Sequence, residues 1–301
     1  MTQVLRVGVI GLGNMGRHHA KHWHQYSGAH LVAVCDSDSD RSQAYADQYA
    51  CQAYTDFSAM LAAEALDAVS IAVSTAAHAS VALACIAAGV SVLIEKPIAK
   101  TVADAEQIYA AGDAVTVMIG HIERFNPAIV AAKQLVDAGT LGAIISINTQ
   151  RLSPLPPQIT DSDVLLDLGV HDVDLVTYLM GSSPVGSTIY THDFHRPGQA
   201  CHANIALEYT NNQSALVQVS WAHPFRQRTV SITGTQGYVS VDLSGPTVMH
   251  YSEQHPDGVP VSVTPTDALG AQIAHFANCV HTQQAPLVTA ESAIQTLTLL
   301  V

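Results

Sequence analysis

Short apolar runs alternate with amphipathic stretches through the first part of the chain. Residues 7–10 form an apolar run that stops at Gly11, and 31–35 form a second that stops at Asp36. Further runs lie at 68–73, 90–94 and 115–119. Between them, 14–26, 40–49, 78–88 and 102–111 have helical spacing, and Gly89 supplies a stop signal. Strands that are apolar along their length are buried on both faces. Alternation with helices therefore predicts a parallel sheet covered on both sides.

The pattern changes after about residue 122. A helix is expected at 127–138, an alternating strand at 144–151, a proline-rich loop at 153–157 and a helix over 164–180. Strand-like runs follow at 187–192, 204–209, 215–220, 229–233 and 238–241, separated by turn residues such as Asn211, Asn212 and Gly234. Consecutive strands with short turns predict a mostly antiparallel sheet. Helical patterns at 268–282 and 290–301 close the chain. The fold class expected is α/β. A doubly wound parallel sheet occupies 1–122, and an α+β domain with a large open sheet occupies 123–301.

Composition narrows the function classes. Of 301 residues, 48% are hydrophobic and 12% charged, which suits packed cores and not a disordered chain. The formal net charge is -13 with no basic run, which argues against a nucleic-acid partner. No segment approaches the roughly 20 apolar residues of a membrane span, and the first apolar run is too short and glycine-broken for a secretory leader. Cys35, Cys51, Cys85, Cys201 and Cys279 are odd in number and widely spaced, so reduced thiols in a cytoplasmic enzyme are expected rather than disulfides or a zinc site. His18, His19, His22 and His24 crowd one helix without an acidic partner, and are read as a solvated face rather than a metal site. No metal is expected. His192, His195 and His202 are scattered, and Trp221 and His223 fit packing at a strand end.

Candidate chemistry begins at Gly11-Leu12-Gly13-Asn14-Met15-Gly16, a G-x-G-x-x-G signature. Alone it is a weak signal. Here it follows a strand, opens a helix, and precedes an acidic strand end, Asp36, by 20 positions. Gly11 permits the tight turn, Gly13 lets backbone approach a pyrophosphate, and Gly16 allows close helix packing. Asn14 and Met15 lead into a helix N-terminus, which favours an anion. Asp36 can accept from ribose hydroxyls and repels a 2′-phosphate, so NAD is expected over NADP. Arg41 weakens that preference slightly. These residues define a Rossmann dinucleotide site.

Glu95-Lys96-Pro97 ends a strand at the sheet edge where ligands bind. Asp167 and His171 are spaced i, i+4, which puts them on one helix face. That spacing alone fits a surface pair as well as a site. Arg124 and Asn126 follow the 115–119 strand, and Arg151 ends another. A guanidinium at these places suits a phosphate or carboxylate, or an ion pair.

The chain resembles the Gfo/Idh/MocA oxidoreductase family. The resemblance rests on GLGNMG at 11–16, VSTAAH at 73–78, EKP at 95–97, GHIERFNPA at 120–128 and LLDLGVHDVD at 165–174, and spans nearly the whole chain. It implies a catalytic set of Lys96, Asp167 and His171. It also implies cofactor contacts from Ser74, Thr75, His78, Glu95 and Lys96. The 120–128 stretch is similar to a subgroup of UDP-N-acetylglucosamine 3-dehydrogenases. The implied substrate is thus a sugar or nucleotide-sugar, with Arg151, Arg226 and Arg228 as diphosphate donors. Another sugar or cyclitol dehydrogenase is the alternative, and a non-catalytic NAD-binding co-regulator is an alternative of a different class. The closing helix runs to Val301, which is short for the family. Relatives associate through the open sheet, so a homodimer or homotetramer is expected, with Tyr209, Leu216, Val217 and Trp221 on an apolar face.

Overall fold

The computed structural model describes residues 4–155, 163–194 and 196–301. His195 and the end of the loop expected at 153–157 lie outside the described residues. The chain divides into two compact units, one of Met1–His121 with Leu269–Leu299 and the other of Ile122–Ala268.

In the first unit, β1 (Leu5–Ile10), β2 (Ala29–Cys35), β3 (Gln52–Tyr54), β4 (Ala68–Ile71), β5 (Ser91–Glu95) and β6 (Val117–Gly120) form one parallel sheet. Its order is β3-β2-β1-β4-β5-β6, so the winding reverses between β1 and β4. The helices are α1 (Gly16–Gln25), α2 (Ser39–Tyr49), α3 (Phe57–Ala63), α4 (His78–Ala87) and α5 (Val102–Ala111). Three of them begin on side-chain caps: Asp38, Asp56 and Thr101 accept from the N–H groups of Arg41, Ser58 and Asp104. Val7, Val9, Ile71, Val92, Leu93 and Ile94 are inaccessible to solvent, as the apolar runs require.

The second unit opens with α6 (Pro127–Asp137), which is capped by Asn126 and has proline in its first turn. β7 (Ile144–Pro154) follows. A single π turn (Leu165–Gly169) then runs into α7 (Val170–Met180), which stops at Gly181 with φ 75°. The remaining strands are β8 (Gly186–His192), β9 (His202–Glu208), β10 (Ser214–Ser220), β11 (Ala222–Gly234), β12 (Tyr238–Asp242), β13 (Thr247–Ser252) and β14 (His255–Pro260). The sheet order is β14-β13-β12-β11-β7-β10-β9-β8, antiparallel except where β10 runs parallel to β7.

One face of this sheet is apolar and buried: Ala203, Ile205, Leu207, Ala215, Val217, Val219, Val230 and Ile232. α6 and α7 pack against the sheet. The alternate residues form polar rows. Thr229, Gln150, Gln218, Asn204 and Tyr190 are successive cross-strand neighbours, and Gln227 donates to Gln150, which donates to Gln218. This corrects the expected apolar outer face. Neighbours on a strand point to opposite sides, so Leu216 is exposed while Val217 is buried, and Tyr209 and Trp221 are buried too.

The last helices, α8 (Ala268–Thr282) and α9 (Ala290–Thr298), correct the expected boundary at 123–301, because Leu269–Leu299 belongs to the first unit. Phe276 meets Trp23 edge-on at 6.2 Å. The N–H of Ile119 on edge strand β6 donates to the Val288 carbonyl, so that edge does not stand bare. No described helix is long and apolar enough to cross a membrane.

Candidate active site

The glycine turn behaves as its sequence demands. Gly11 has φ 87°, and a Cβ there would lie 2.6 Å from the Ala72 carbonyl oxygen. A Cβ on Gly16 would collide with the Gly11 carbonyl oxygen. Gly13 differs, because a Cβ on it would meet nothing within 4 Å. Its backbone borders a cleft of about 590 Å³ lined by Gly11, Gly13, Asp36, Arg41, Phe57 and Ser74 among others. Open backbone beside the first turn of α1, whose N–H groups lie outside the helix ladder, is a cradle for a pyrophosphate. The residues present fit a dinucleotide.

Asp36 is anchored from several sides. Its Oδ2 accepts from the Leu12 N–H at 2.7 Å, and its Oδ1 from the Asp38 N–H and from Arg41, both at 3.0 Å. Burial alone would raise this carboxyl, but those N–H groups and Arg41 hold it below the usual carboxylate range. Asn14 accepts from Arg17 at 3.1 Å, and Met15 is the helix N-cap residue without a side-chain cap bond. Ser74 lines the cleft and precedes the 3-10 turn that starts at Thr75.

His78 meets backbone carbonyls on both ring nitrogens. The ring is buried, with Nδ1 2.9 Å from the Pro97 carbonyl oxygen and Nε2 3.2 Å from that of Val73. Burial keeps it neutral, lowering its pKa against the pull of both carbonyls. A neutral ring donates once, and the shorter distance assigns that N–H to Pro97. His78 thus ties α4 to the Glu95-Lys96-Pro97 turn. Glu95 ends β5 and is buried, and Lys96 beside it is half-buried.

Sequence reasoning missed the partner of Glu95. His19 was grouped with three neighbouring histidines as a solvated face, yet it is fully buried, with Nε2 2.9 Å from Glu95 Oε1 and Nδ1 3.0 Å from Ser70 Oγ. The readable signal was its spacing, three residues after Gly16 and four before Trp23, on the buried side of α1 with Ala20.

In the second unit, Asp167 lies in the π turn and His171 in the first turn of α7, both half-buried. The i, i+4 pair is therefore carried across a π turn rather than a regular helix. π turns recur at functional sites.

The three expected substrate contacts are otherwise engaged. Arg124 gives Nε and Nη2 to the two oxygens of Asp174, at 2.9 and 2.6 Å, and stacks 5.0 Å from the Tyr178 ring. Arg151 is buried between Asp172 and Glu123. Asn126 caps α6 and donates to Glu123. These pairings offset the several kcal/mol that each buried charge would otherwise cost, and Nη2 of Arg151 is buried without a hydrogen-bond partner among the described residues. Arg226 and Arg228 on β11 remain exposed. Among the described residues, no group of three or more His, Cys, Asp or Glu is placed to hold a metal ion.

Residues 5–121 match the profile described as oxidoreductase family, NAD-binding Rossmann fold, and 129–240 match the GFO/IDH/MocA C-terminal domain. The chain is 32% identical to the UDP-N-acetylglucosamine 3-dehydrogenase of Acidithiobacillus ferrooxidans over 92% of its length and 88% of that protein. The chain belongs to the Gfo/Idh/MocA oxidoreductase family. It is also 33% identical to inositol 2-dehydrogenase 2 of Saccharopolyspora erythraea, over 62% of this chain and 57% of that one. A solved structure of the A. ferrooxidans enzyme superposes with TM-score 0.90 at 30% identity, covering 98% of this chain and 94% of that one. An Agrobacterium radiobacter oxidoreductase in complex with NAD+, L-tartaric acid and magnesium shares the fold, with TM-score 0.90 at 22% identity over 99% and 94% of the two chains. The first unit is thus an NAD-binding Rossmann domain, and the chain's relatives include sugar and cyclitol dehydrogenases.

Proposed function

We propose that the protein is an NAD-dependent dehydrogenase acting on a CH–OH donor, the 3-hydroxyl of UDP-N-acetylglucosamine. The observation that carries this reading is the near full-length similarity to an enzyme of that name, together with retention of Lys96, Asp167 and His171. The retained set also favours an enzyme over a co-regulator that only binds the nucleotide.

Alcohol oxidation removes a hydride and a proton. NAD supplies the hydride acceptor. Gly13 and the first turn of α1 bind its pyrophosphate, and Asp36 its ribose. Glu95 and Lys96 stand at the strand end that serves the second nucleotide half. His171 takes the hydroxyl proton, since imidazole titrates near neutral pH. Lys96 donates a hydrogen bond to the reacting oxygen and stabilises its developing charge. Asp167 orients His171 or contacts a sugar hydroxyl. Arg226 and Arg228 are the donors for the diphosphate.

Free thiols at all five cysteines suit a reducing compartment, the cytoplasm. The polar rows of the second sheet, with Leu216 at 57% exposure among them, form the face through which copies associate as a homodimer or homotetramer.

The test is incubation with NAD and a panel of UDP-sugars, free sugars and inositol, following NADH by the absorbance of its reduced ring. UDP-N-acetylglucosamine is expected to give NADH. Turnover only with free sugars or inositol makes the chain another sugar or cyclitol dehydrogenase of the family, as its inositol 2-dehydrogenase relatives are. NAD binding with no turnover on any of them leaves the co-regulator.

A further inference from the structure

A carboxylate taken out of water needs a reason. Glu95 is 7% exposed, and its Oε1 faces the fully buried ring of His19. A chain of bonds stands behind it. Trp23 can only donate, and its Nε1–H gives to Ser70 Oγ at 2.8 Å. Ser70 Oγ in turn lies 3.0 Å from His19 Nδ1, and His19 Nε2 lies 2.9 Å from Glu95 Oε1. The Lys96 N–H reaches the other oxygen, Oε2, at 3.3 Å. Both Glu95 oxygens thus have a nitrogen partner, an arrangement suited to a carboxylate. Burial would raise its pKa, and the His19 bond with the Lys96 charge holds it below the usual range instead.

The place of that charge gives it a use. A dinucleotide crosses the point where strand order reverses, with one nucleotide half on each side. Here the reversal lies between β1 and β4. Gly13 and Asp36, at the ends of β1 and β2, take the adenosine half. The other half falls to the carboxyl ends of β4, β5 and β6, where Glu95 is the last residue of β5. Gly120, the last residue of β6, lies so close that a Cβ on it would stand 3.1 Å from Glu95 Oε1.

We propose that the Trp23–Ser70–His19–Glu95 relay holds a fixed negative charge beside the nicotinamide and so sets the affinity of the oxidised cofactor against the reduced one. The oxidised ring is a cation and the reduced ring is neutral. A buried anion therefore favours NAD+ entry and eases release of NADH, a step that limits many dehydrogenases. Glu95 acts here on cofactor exchange and takes no proton from substrate. The inference rests on the first unit binding NAD and not on the identity of the sugar.

The experiment measures Kd for NAD+ and for NADH, by titration calorimetry and by NADH fluorescence, in the wild-type protein and in Glu95→Gln. The expected result is that the ratio Kd(NADH)/Kd(NAD+) falls about tenfold in E95Q, the scale of one unit charge acting over a partly screened separation. Glu95→Asp, which keeps the charge, is expected to stay near the wild-type ratio. A ratio unchanged in a folded E95Q overturns the inference and leaves the NAD reading intact. If E95Q does not fold, the wild-type protein decides: NAD+ binds at least as tightly as NADH, and NADH binding about tenfold tighter overturns the inference. Failure of both cofactors to bind the wild-type protein overturns the NAD reading and the inference with it.

Discussion

The guanidinium of Arg41 lies 3.0 Å from Oδ1 of Asp36, so the carboxylate that ends β2 carries its own counter-charge. Asp36 still has accepting capacity on Oδ2, which takes only the Leu12 N–H among its described bonds. A 2′-phosphate would meet an anion at Asp36 and a cation at Arg41.

Removing the anion while keeping the cation should therefore turn the preference. Asp36→Ser is expected to weaken NAD binding and strengthen NADP binding, moving their ratio by at least about tenfold. Asp36→Ser with Arg41→Ala should lose the gain for NADP. Cofactor titrations on the two variants check this, and an unchanged ratio in the single variant would show that Asp36 does not read the ribose.

His171→Ala is expected to lower turnover by about 10²- to 10⁴-fold with little change in NAD affinity, as removal of a general base does. Lys96→Met should also lose turnover. Stopped-flow NADH formation alongside NAD titration separates the two effects. Wild-type-like turnover in the His171 variant would remove it from the chemistry.

Arg124→Met should cost about 3–5 kcal/mol of stability, because it leaves Asp174 charged and buried. Pairing it with Asp174→Leu should recover most of the loss, since two apolar groups need no counter-charge. Chemical denaturation of the three proteins measures both terms. A loss under about 1 kcal/mol in the single variant would mean that water reaches the pair.

Acid sensitivity follows from the carboxyl groups. Asp36, Glu95 and Glu123 all have folded-state pKa values below the usual range. Their stabilisation is complete above the unfolded values near pH 4 and is lost as pH falls through the lower folded values. Asp172 opposes this, because burial pushes its pKa up and protonating it favours the folded state as pH falls. Melting temperature should thus be flat from about pH 7 to 5 and fall steeply below about 4. A fall already under way at pH 6 would point to the histidines instead.

The parallel sheet was legible because β1, β2, β4, β5 and β6 are apolar along their length. β3 was not, since Gln52–Tyr54 has three residues and no apolar run. β14 reads as a turn, His-Pro-Asp-Gly-Val-Pro. It is a strand only because it is the sheet's last, where proline's missing N–H costs no ladder bond. The glycine turn and Asp36 were readable because each does its work locally. Arg124 and Arg151 were not, because their partners stand 50 and 21 or 28 positions away and only the fold decides what a guanidinium meets. His19 was hidden for a related reason. A helix with four histidines in seven positions shows its buried side only once Trp23 and Ser70 are seen beside it. The closing helices misled because an amphipathic pattern says that a face is covered, not by which sheet.

Those closing helices also bear on how the protein is made. Synthesis delivers residues up to His121 before the Ile122–Ala268 unit, and the Leu269–Leu299 segment of the first unit after it. While the intervening stretch is translated, Trp23 waits for Phe276 and the edge of β6 waits for the Val288 carbonyl. At about 5–20 residues per second the delay is on the order of ten seconds. During that interval the nascent chain presents an apolar surface and an unpaired strand edge, the features that holdase chaperones bind and that seed aggregation. Slow elongation or scarce chaperone should therefore harm the yield of this protein more than that of one whose N-terminal domain is contiguous.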